Sequence, residues 1–347
     1  MFWHVFCVML TVRNDAPHHT ATEPGGNYPC RAFLSRRTTM TAVTVTAGEV
    51  EMATACSARK NIQGHPCFGG NHHKNGRMHL AVAPRCNIKC GYCTRKHDCA
   101  NESRPGVTSR ILTPGEALEK VSEVMASEIL GSIIKVIGIA GPGDPLFNEE
   151  TFETFRLIGG KFPHLIKCMS TNGLLLPEKI DLLQEIDLHS LTVTINAIDP
   201  EVAGKVYSFI HYHGRRYTGT EAGEIIIANQ LEGLRRAAGY GMTIKVNTVL
   251  IPGLNDDQVP LIGLKVKELG AFVMNVMPLI PQADFAHIAP PSEERLEVLR
   301  SVNEKIIGQF KQCRQCRADA VGLIGQDVTI GEGGCAIKPL TLATAGP

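Results

Sequence analysis

The chain has 347 residues, a formal net charge of +1, 44% hydrophobic residues and 20% charged residues. This composition is typical of a folded protein of about two domains, or of one large α/β barrel, and it excludes a mainly disordered chain. The balanced charge predicts no binding to nucleic acid or to an acidic membrane surface, and no apolar stretch approaches the ~20 residues of a membrane span.

Cysteine usage indicates the cellular compartment. The chain contains twelve cysteines, whereas secreted disulfide scaffolds are usually short, and its first residues show no pattern of a secretory signal. We therefore expect cysteines that bind metal in a reducing, cytoplasmic environment.

Residues 1–60 differ from the rest of the chain. They contain only ten charged residues and nine threonines, with no helical or alternating period. We expect a poorly ordered or atypical extension here; the alternative is a small folded lobe.

From about residue 76, short β-rich runs alternate with amphipathic stretches. The predicted strands are His79–Ala83, Ile133–Ala140, Leu165–Thr171, Ser190–Ala197, Met242–Leu250 and Ala271–Met277. Strands that alternate with helices predict a parallel α/β sheet, either doubly wound or curled into a partial barrel. In both arrangements ligands bind at the carboxyl ends of the strands.

Two helices have clear sequence signatures. Thr113 as N-cap, Pro114 at the first helical position and Glu116 form a capping box. The apolar residues that recur at helical spacing after this start are Leu118, Val121, Met125 and Ile129. The last helix is predicted to begin near Ser292, with an apolar face of Leu296, Leu299, Ile306 and Phe310.

The most informative motif is Cys86-Asn-Ile-Lys-Cys90-Gly-Tyr-Cys93, which follows the first predicted strand. Three thiolates within eight residues suit one compact soft-metal centre. Three ligands on a four-iron cluster leave one iron open to substrate or cofactor, whereas a zinc site takes four ligands. Inert buried thiols are the remaining alternative.

This spacing, with an aromatic residue (Tyr92) before the last cysteine, resembles the signature of the radical S-adenosylmethionine (SAM) superfamily. Further motifs resemble the NifB family of nitrogenase cofactor biosynthesis within it. They are His65–Cys67, His72-His73, Arg77–His79, Ala81–Pro84, Asp98–Gly106, Gly141–Pro145, Ser170–Gly173, Ile251–Asn255 and Asn275–Pro281, in order over residues 62–325. The resemblance implies an α/β fold that is a partial (β/α)6 TIM-like barrel, and a four-iron cluster held by Cys86, Cys90 and Cys93.

Several strand ends carry candidates for SAM binding. Gly141 and Gly143 allow close approach of the backbone to a ligand, and Asp144 suits an ammonium or a ribose hydroxyl; a plain strand-to-helix turn explains them equally well. The family resemblance extends this assignment to Tyr92, Thr171, Asn172 and Asn247. Without it, Thr171 and Asn172 are candidates for a helix cap and Asn247 for a satisfied core amide.

Five further cysteines resemble ligands of two accessory four-iron clusters that the family carries. By position, Cys67, Cys99 and Cys168 are assigned to one cluster, and Cys313 and Cys316 to the other. A histidine such as His65 is expected to complete a ligand set. Alone, Cys168 suits a core position, and Cys313 with Cys316 suits a redox pair. The cysteines that match no motif are Cys7, Cys30, Cys56 and Cys335.

Glu102 and Arg104 lie in the family motif just after the cluster loop. The resemblance implies that both face the active cavity. Arg104 is a candidate for binding a carboxylate or a cluster sulfide, and Glu102 for transferring a proton or ligating iron. The alternative is that both are ordinary surface charges.

The resemblance implies a radical SAM reaction. SAM is cleaved at a cluster that it shares with three cysteines, and a SAM-derived carbon becomes the carbide of an eight-iron precursor made from two accessory four-iron clusters. The implied partners are a ferredoxin or flavodoxin electron donor, a nitrogenase cofactor scaffold and a separate NifX-like carrier. No NifX-like domain is recognised in the chain.

The expected organisation is an extension over residues 1–60, a radical SAM core with accessory-cluster segments over 61–325, and a short tail over 326–347. The extension matches no family pattern, which also suits a start at Met40 or Met52. Two rival functions remain: a radical SAM enzyme with a single cluster that modifies a small molecule or peptide, and a non-catalytic zinc or iron–sulfur protein.

Overall fold

The computed structural model describes residues 62–68, 71–96, 99, 108, 110–313, 316–329 and 338–339. The predicted extension over 1–60 lies outside this part of the chain. The strands are β1 (Gly76–His79), β2 (Ile88–Cys90), β3 (Ile134–Ile139), β4 (Ile166–Thr171), β5 (Ser190–Thr194), β6 (Tyr207–Tyr212), β7 (Arg215–Tyr217), β8 (Thr243–Leu250), β9 (Val273–Pro278), β10 (Val321–Leu323), β11 (Gln326–Thr329) and β12 (Lys338–Pro339). The α-helices are α1 (Pro114–Ala126), α2 (Glu128–Ile133), α3 (Glu149–Lys161), α4 (Leu176–Glu185), α5 (Pro200–Val206), α6 (Gly219–Gly239), α7 (Gln258–Glu268) and α8 (Glu293–Glu304).

The main sheet has the strand order β12-β11-β10-β1-β3-β4-β5-β8-β9. The six strands from β1 to β9 in this order are parallel, and helices follow each of them. Within the described residues no ladder joins β9 to the other end of the sheet. The predicted partial (β/α)6 barrel is therefore confirmed.

The helices cover one face of this sheet with an apolar core. Buried residues of α1, α3, α4, α7 and α8 pack against the helix-facing residues of the strands in one continuous cluster. A smaller apolar cluster lies around the separate sheet β2-β6-β7 and the start of α6. No described helix is long and apolar enough to cross a membrane.

The chain after α8 runs from one edge of the sheet to the other. Phe310 N donates to Met274 O at 2.8 Å beside β9, and His79 N donates to Ala320 O at 2.8 Å beside β1. The antiparallel pairing of β10 with β1 follows, with Arg77 opposite Gly322. The described residues between these two contacts include Cys313 and Cys316, so this crossing carries both thiols past the open side of the barrel.

The first strand lies earlier than predicted. The sequence pattern favours His79–Ala83, whereas the ladder covers Gly76–His79. Leu80–Ala83 is buried and apolar, as the pattern requires, but Val82 N donates to Leu80 O at 3.1 Å in a tight turn that ends the ladder. The other five predicted strands match β3, β4, β5, β8 and β9.

The capping box is confirmed, but the two predicted helices are shorter than their apolar patterns. Glu116 N donates to Thr113 Oγ1 at 3.3 Å, and Thr113 N donates to Glu116 Oε2 at 2.8 Å. A break at Ser127 places Ile129 in the next helix, where it is 64% exposed. Likewise, Ile306 and Phe310 lie beyond the end of α8 at Glu304.

Replacing Thr113 by Ala removes the side-chain acceptor for the first turn of α1. We expect a loss of about 1 kcal/mol in the free energy of unfolding, measured by urea denaturation. Thr113→Ser keeps the hydroxyl and serves as the control. Equal losses in both variants would contradict a capping role.

Candidate functional site

The three cysteines of the motif lie in one wall of a cavity of about 210 Å³ at the carboxyl ends of the parallel strands. Their segment is not a plain loop, because Ile88–Cys90 forms β2 and pairs with β6. Cys93 N donates to Cys90 O at 3.0 Å, so the chain turns at once after the strand. This strand-then-turn geometry directs all three thiols of Cys86, Cys90 and Cys93 to the same cavity.

Basic side chains hold the carbonyl groups of this segment. Lys89 Nζ donates to the carbonyl of Cys93, and Arg95 donates to the carbonyls of Cys86 and Ile88. These contacts satisfy backbone carbonyls of the cysteine segment.

The thiols themselves lie in a desolvated wall. Burial raises the pKa of Cys86 to about 12 and raises that of Cys90 as well. A metal that binds these sulfurs must therefore displace protons, as thiolate ligands always require.

The Gly141–Pro145 loop forms the neighbouring wall and is fixed to the segment before Cys86. Gly143 N donates to Ala83 O at 2.5 Å, and Asp144 N donates to Arg85 O at 2.8 Å. A Cβ at Gly143 would lie 2.2 Å from Arg85 O, so only glycine fits this contact. Gly141 has a φ of 150°, which also favours glycine.

The Asp144 carboxylate joins this loop to the end of β4. It accepts hydrogen bonds from Thr171 Oγ1 at 2.9 Å, from Asn172 N at 2.6 Å and from Leu146 N at 3.0 Å. Burial nevertheless raises the pKa of Asp144 to about 6. The predicted ligand-binding carboxylate thus orients the loop as well as lining the cavity.

Amides and hydroxyls from the strand ends line the cavity next to the thiols, and Asn172 Nδ2 donates to Cys86 Sγ at 3.8 Å. Asn172 Nδ2 donates to Asn87 Oδ1 at 2.8 Å, and Ser170, Thr171 and Thr194 line the cavity beside it. Thr194 Oγ1 is buried and has no hydrogen-bond partner within the described part of the chain. A polar ligand in the cavity would supply that partner.

Two predicted ligand-binding residues have structural contacts of their own. Tyr92 lines the cavity, but its hydroxyl accepts a hydrogen bond from Asn196 Nδ2 at 2.7 Å and is fully buried. Asn247 is fully buried, and its Oδ1 accepts a hydrogen bond from Asn275 Nδ2 at 3.1 Å. The structure therefore places Asn247 among core amides, the alternative that its sequence context left open.

A second cavity lies deeper in the barrel, with four cysteines in its wall. The cysteines are Cys67, Cys168, Cys313 and Cys316. Burial raises the pKa of Cys67 to about 12, and the other three thiols are close enough to act on it electrostatically. Within the described residues none of these four cysteines forms a disulfide.

Two imidazoles share this second cavity. Cys67 N donates to His65 Nδ1 at 3.1 Å, and His65 Nε2 is buried with no partner within the described residues. His79 Nδ1 lies 3.0 Å from the carbonyl of Arg317, which can only accept, so Nδ1 carries the proton and Nε2 presents a lone pair. A backbone carbonyl behind the ring is the usual support of a metal-binding histidine.

Sequence reasoning missed His79, Arg77 and Lys245 in the wall of the second cavity. Arg77 Nη2 donates to Cys316 Sγ at 3.0 Å and pairs with Asp327, while Nη1 donates to Gly322 O at 2.7 Å. Lys245 is 5% exposed and lies over the Phe310 ring at 5.6 Å. Arg77 on β1 and Lys245 on β8 could have been identified from the alternation of side chains along each strand. That alternation turns a charged residue to the interior of the barrel.

The structure groups the accessory cysteines differently from the expected assignment. Cys313 and Cys316 lie with Cys67 and Cys168, because the crossing from β9 to β1 brings them there. Cys99 instead lines the first cavity. Glu102 and Arg104, and the unmatched Cys7, Cys30, Cys56 and Cys335, lie outside the described residues.

Three thiols in one cavity wall fit the donor set of an iron–sulfur cluster. Among the described residues, no three His, Cys, Asp or Glu side chains converge on one metal position. In an iron–sulfur cluster each thiolate binds a separate iron atom, so its cysteines are spread around a larger body. Three thiols beside polar strand ends also match a cluster that shares its fourth iron with a polar ligand.

Comparisons with known proteins agree with these features. Residues 80–262 match the model of the Radical SAM superfamily. The chain is 47% identical over 264 residues to the FeMo cofactor biosynthesis protein NifB of Methanocaldococcus jannaschii, which covers 75% of this chain and 86% of that relative. It is 46% identical over 271 residues to the protein of that name from Klebsiella pneumoniae, covering 76% of this chain and 57% of the relative.

The chain spans 57% to 62% of the length of the Klebsiella and Frankia alni relatives. Among solved structures it is similar to a radical SAM methyltransferase from Sphaerobacter thermophilus, with a TM-score of 0.47, 20% identity, and coverage of 68% of this chain and 64% of that one. Methylornithine synthase is another similar structure, with a TM-score of 0.46, 15% identity, and coverage of 74% and 77%.

Replacing Gly143 by Ala places a methyl group against the carbonyl of Arg85. We expect a loss on the order of 3 kcal/mol in the free energy of unfolding, measured in urea without oxygen. Gly160→Ala on α3 is the matched control, because a Cβ there meets nothing within 4 Å. A stable Gly143→Ala variant would show that the loop is not fixed to the cysteine segment.

The buried Asp144 predicts a pH dependence of stability. Folding raises the pKa of Asp144 from 3.8 to about 6. The contribution of the protonated carboxyl group to the free energy of unfolding is therefore fully present below pH 3.8 and is lost as the pH rises through 6. Relative to Asp144→Asn, we expect the wild type to lose on the order of 3 kcal/mol of unfolding free energy between pH 4 and pH 7. Parallel pH profiles of the two proteins, by urea denaturation, would contradict this.

Proposed function

The chain belongs to the NifB family of the radical SAM superfamily, and on this basis we propose that it builds the eight-iron precursor of the nitrogenase cofactor. In this reaction a SAM-derived carbon becomes a carbide while two four-iron clusters fuse. The observation that carries the proposal is the pair of cysteine-lined cavities in one barrel, because a single-cluster enzyme needs only the first.

Cys86, Cys90 and Cys93 are the residues that would hold the resident four-iron cluster in the first cavity. When bound, that cluster supplies the electron that cleaves SAM reductively to methionine and a 5′-deoxyadenosyl radical. The chain's own contribution is to bind and orient SAM and to exclude water.

The strand ends supply the polar groups that SAM requires. The unpartnered Thr194 hydroxyl, the Asn172 amide and the glycine backbone of the Gly141–Asp144 loop surround the space next to the three thiols. Asp144 holds the loop and Asn172 in register, so it acts on SAM mainly by positioning its neighbours. Tyr92 braces the segment through Asn196.

The second cavity would hold the clusters that are the substrate. Cys67, Cys168, Cys313 and Cys316 offer thiolates, and His79 adds a nitrogen ligand at Nε2. His65 accepts from Cys67 N at Nδ1, so its Nε2 would carry the proton and donate a hydrogen bond into this cavity; serving as the expected ligand would require it to give up that contact. Cys99, in the first cavity, would complete a ligand set from the SAM side. Mixed cysteine and histidine ligation suits a cluster that must later leave, since fewer thiolates hold it.

The proposed activity requires protein partners that supply electrons and accept the product. A ferredoxin or flavodoxin would deliver electrons in the cytoplasm, and a cofactor scaffold and a NifX-like carrier would accept the product. Glu102 and Arg104 are proposed to act at the first cavity, in proton transfer and in binding an anionic group respectively.

Two sets of variants test whether the cavities hold separate clusters. One set replaces Cys86, Cys90 and Cys93 by Ala, the other replaces Cys168 and Cys316 by Ala, and Cys335→Ala is the control. Each protein is purified without oxygen, its iron is counted, and its dithionite-reduced electron paramagnetic resonance spectrum is recorded with and without SAM.

We expect the triple variant to keep substantial iron and a cluster signal that SAM does not change. The double variant should lose iron but keep the SAM-dependent change, because the first cavity is intact. If the triple variant loses all its iron while the wild type responds to SAM, the protein is a single-cluster radical SAM enzyme. If no protein responds to SAM, the non-catalytic alternative stands.

A further inference from the structure

The interior of the barrel carries small side chains where the two cavities adjoin. In closed α/β barrels the inward residues are mostly large and branched and fill the interior. Here the inward positions of β3, β4 and β5 that line the second cavity are Val136, Gly138, Cys168, Ser170 and Thr192, and Ala140 follows directly after β3. Val136 is large and the His79 ring lies against Gly138, but Ala140 and Ser170, toward the first cavity, are small.

The two cavities follow one another along these strands. On β4, Cys168 lines the second cavity, Asn172 lines the first, and Ser170 between them lines both. Residues two apart on a strand face the same side and rise about 3.3 Å per residue, so the step from Cys168 to Asn172 is about 13 Å.

The neighbouring strands repeat this order. On β3, Gly138 lines the second cavity and Ala140 lines both, and on β5, Thr192 lines the second cavity and Thr194 the first. The pairing of Ile139 with Met169 places Ala140 beside Ser170 one step further along the ladder. These two side chains form a thin layer between the cavities, which we call the Ala140–Ser170 partition.

We propose that the Ala140–Ser170 partition is the passage through which SAM in the first cavity reaches the cluster in the second, and that the small size of both residues keeps it open. This inference rests on the proposed function. It assigns a role to two residues that neither bind metal nor take part in the chemistry. Their volume determines whether SAM and the substrate cluster come into contact.

The first chemical step shows why the partition must be thin. A sulfide of the substrate cluster attacks the methyl carbon of SAM, a new carbon–sulfur bond forms, and the methyl–sulfonium bond breaks. Its electron pair stays on the sulfur of the departing S-adenosylhomocysteine, so no external electron is needed. Reacting atoms must approach to about 3–3.5 Å, which is far less than the length from Cys168 to Asn172.

Larger side chains at the partition should therefore keep SAM from reaching the cluster in the second cavity, while both binding sites remain. The variants are Ala140→Val, Ser170→Val, Ser170→Thr and Ser170→Ala. Val and Thr have nearly the same shape, so this pair separates the effect of volume from that of the hydroxyl. Ser170→Ala removes the hydroxyl while leaving the passage open.

Three quantities are measured on anaerobic holoprotein. They are the iron per chain, the yield of S-adenosylhomocysteine, and the magnetic coupling between [methyl-13C]SAM and the reduced second-cavity cluster by pulsed electron paramagnetic resonance. The coupling reports the distance between the two groups before any turnover.

We expect both Val variants and Ser170→Thr to lower the S-adenosylhomocysteine yield on the order of 100-fold, to weaken the 13C coupling and to keep the iron of the wild type. Ser170→Ala should give a far higher yield than Ser170→Val. Full yield and coupling in the Val variants overturn the inference. Iron lost in proportion to yield also overturns it, because the partition would then only support the cluster.

The outcome for the wild type separates this inference from the proposed function. If the wild type carries iron in the second cavity and cleaves SAM but forms no S-adenosylhomocysteine, the proposed function is contradicted. The inference about the passage is then contradicted as well. A wild type that forms S-adenosylhomocysteine while the Val variants do so equally well contradicts the passage alone.

Discussion

The first cavity depends on the hydrogen bonds that Asp144 and Gly143 make on either side of it. Gly143 N and Asp144 N bind the carbonyls of Ala83 and Arg85, directly before the first motif cysteine. The Asp144 carboxylate then binds Thr171 and Asn172 at the end of β4. One short loop thereby joins the cysteine segment to the end of β4, which is remote in sequence, and it fixes Cys86 beside the Asn172 amide. Burying a carboxyl group for this purpose is unfavourable, as its raised pKa shows, and its several donors compensate.

A second constraint comes from the ends of the sheet. The barrel is not closed by its own strands, so the segment after α8 has to cross its open side to reach the ladder of β10 with β1. Arg77 locks that crossing, because its guanidinium binds the backbone of β10, the carboxylate of Asp327 and the sulfur of Cys316 together. The second cavity is thus assembled from the first and last parts of the described core, and its formation depends on a completed sheet.

Sequence reasoning identified the parts of this molecule that depend on local pattern. Five strands, the capping box of α1 and the partial barrel were predictable because hydrophobic period and capping chemistry act over a few residues. The β6-β7 hairpin was not predicted, although its paired residues lie only three to seven apart. β2 was not predicted because its ladder with β6 joins residues more than a hundred apart in the chain. The same reason explains the accessory cysteines: position in sequence placed Cys99 with Cys168, whereas the crossing chain brings Cys313 and Cys316 there instead.

The size of the side chains inside the barrel links sequence to function, although no sequence motif records it. Large inward residues would stabilise the sheet by filling it, at roughly 25 cal/mol for each Å² of apolar surface buried. Ala140 and Ser170 forgo that stabilisation, whereas Ile137, Ile139 and Met169, at the alternate positions of the same strands, pack in the main apolar core. Because the helix side alone provides the core, the inner side is free to carry thiols, imidazoles and the two cations. The two cavities therefore share one barrel without competing with its packing, which is the arrangement that a reaction between two bound groups requires.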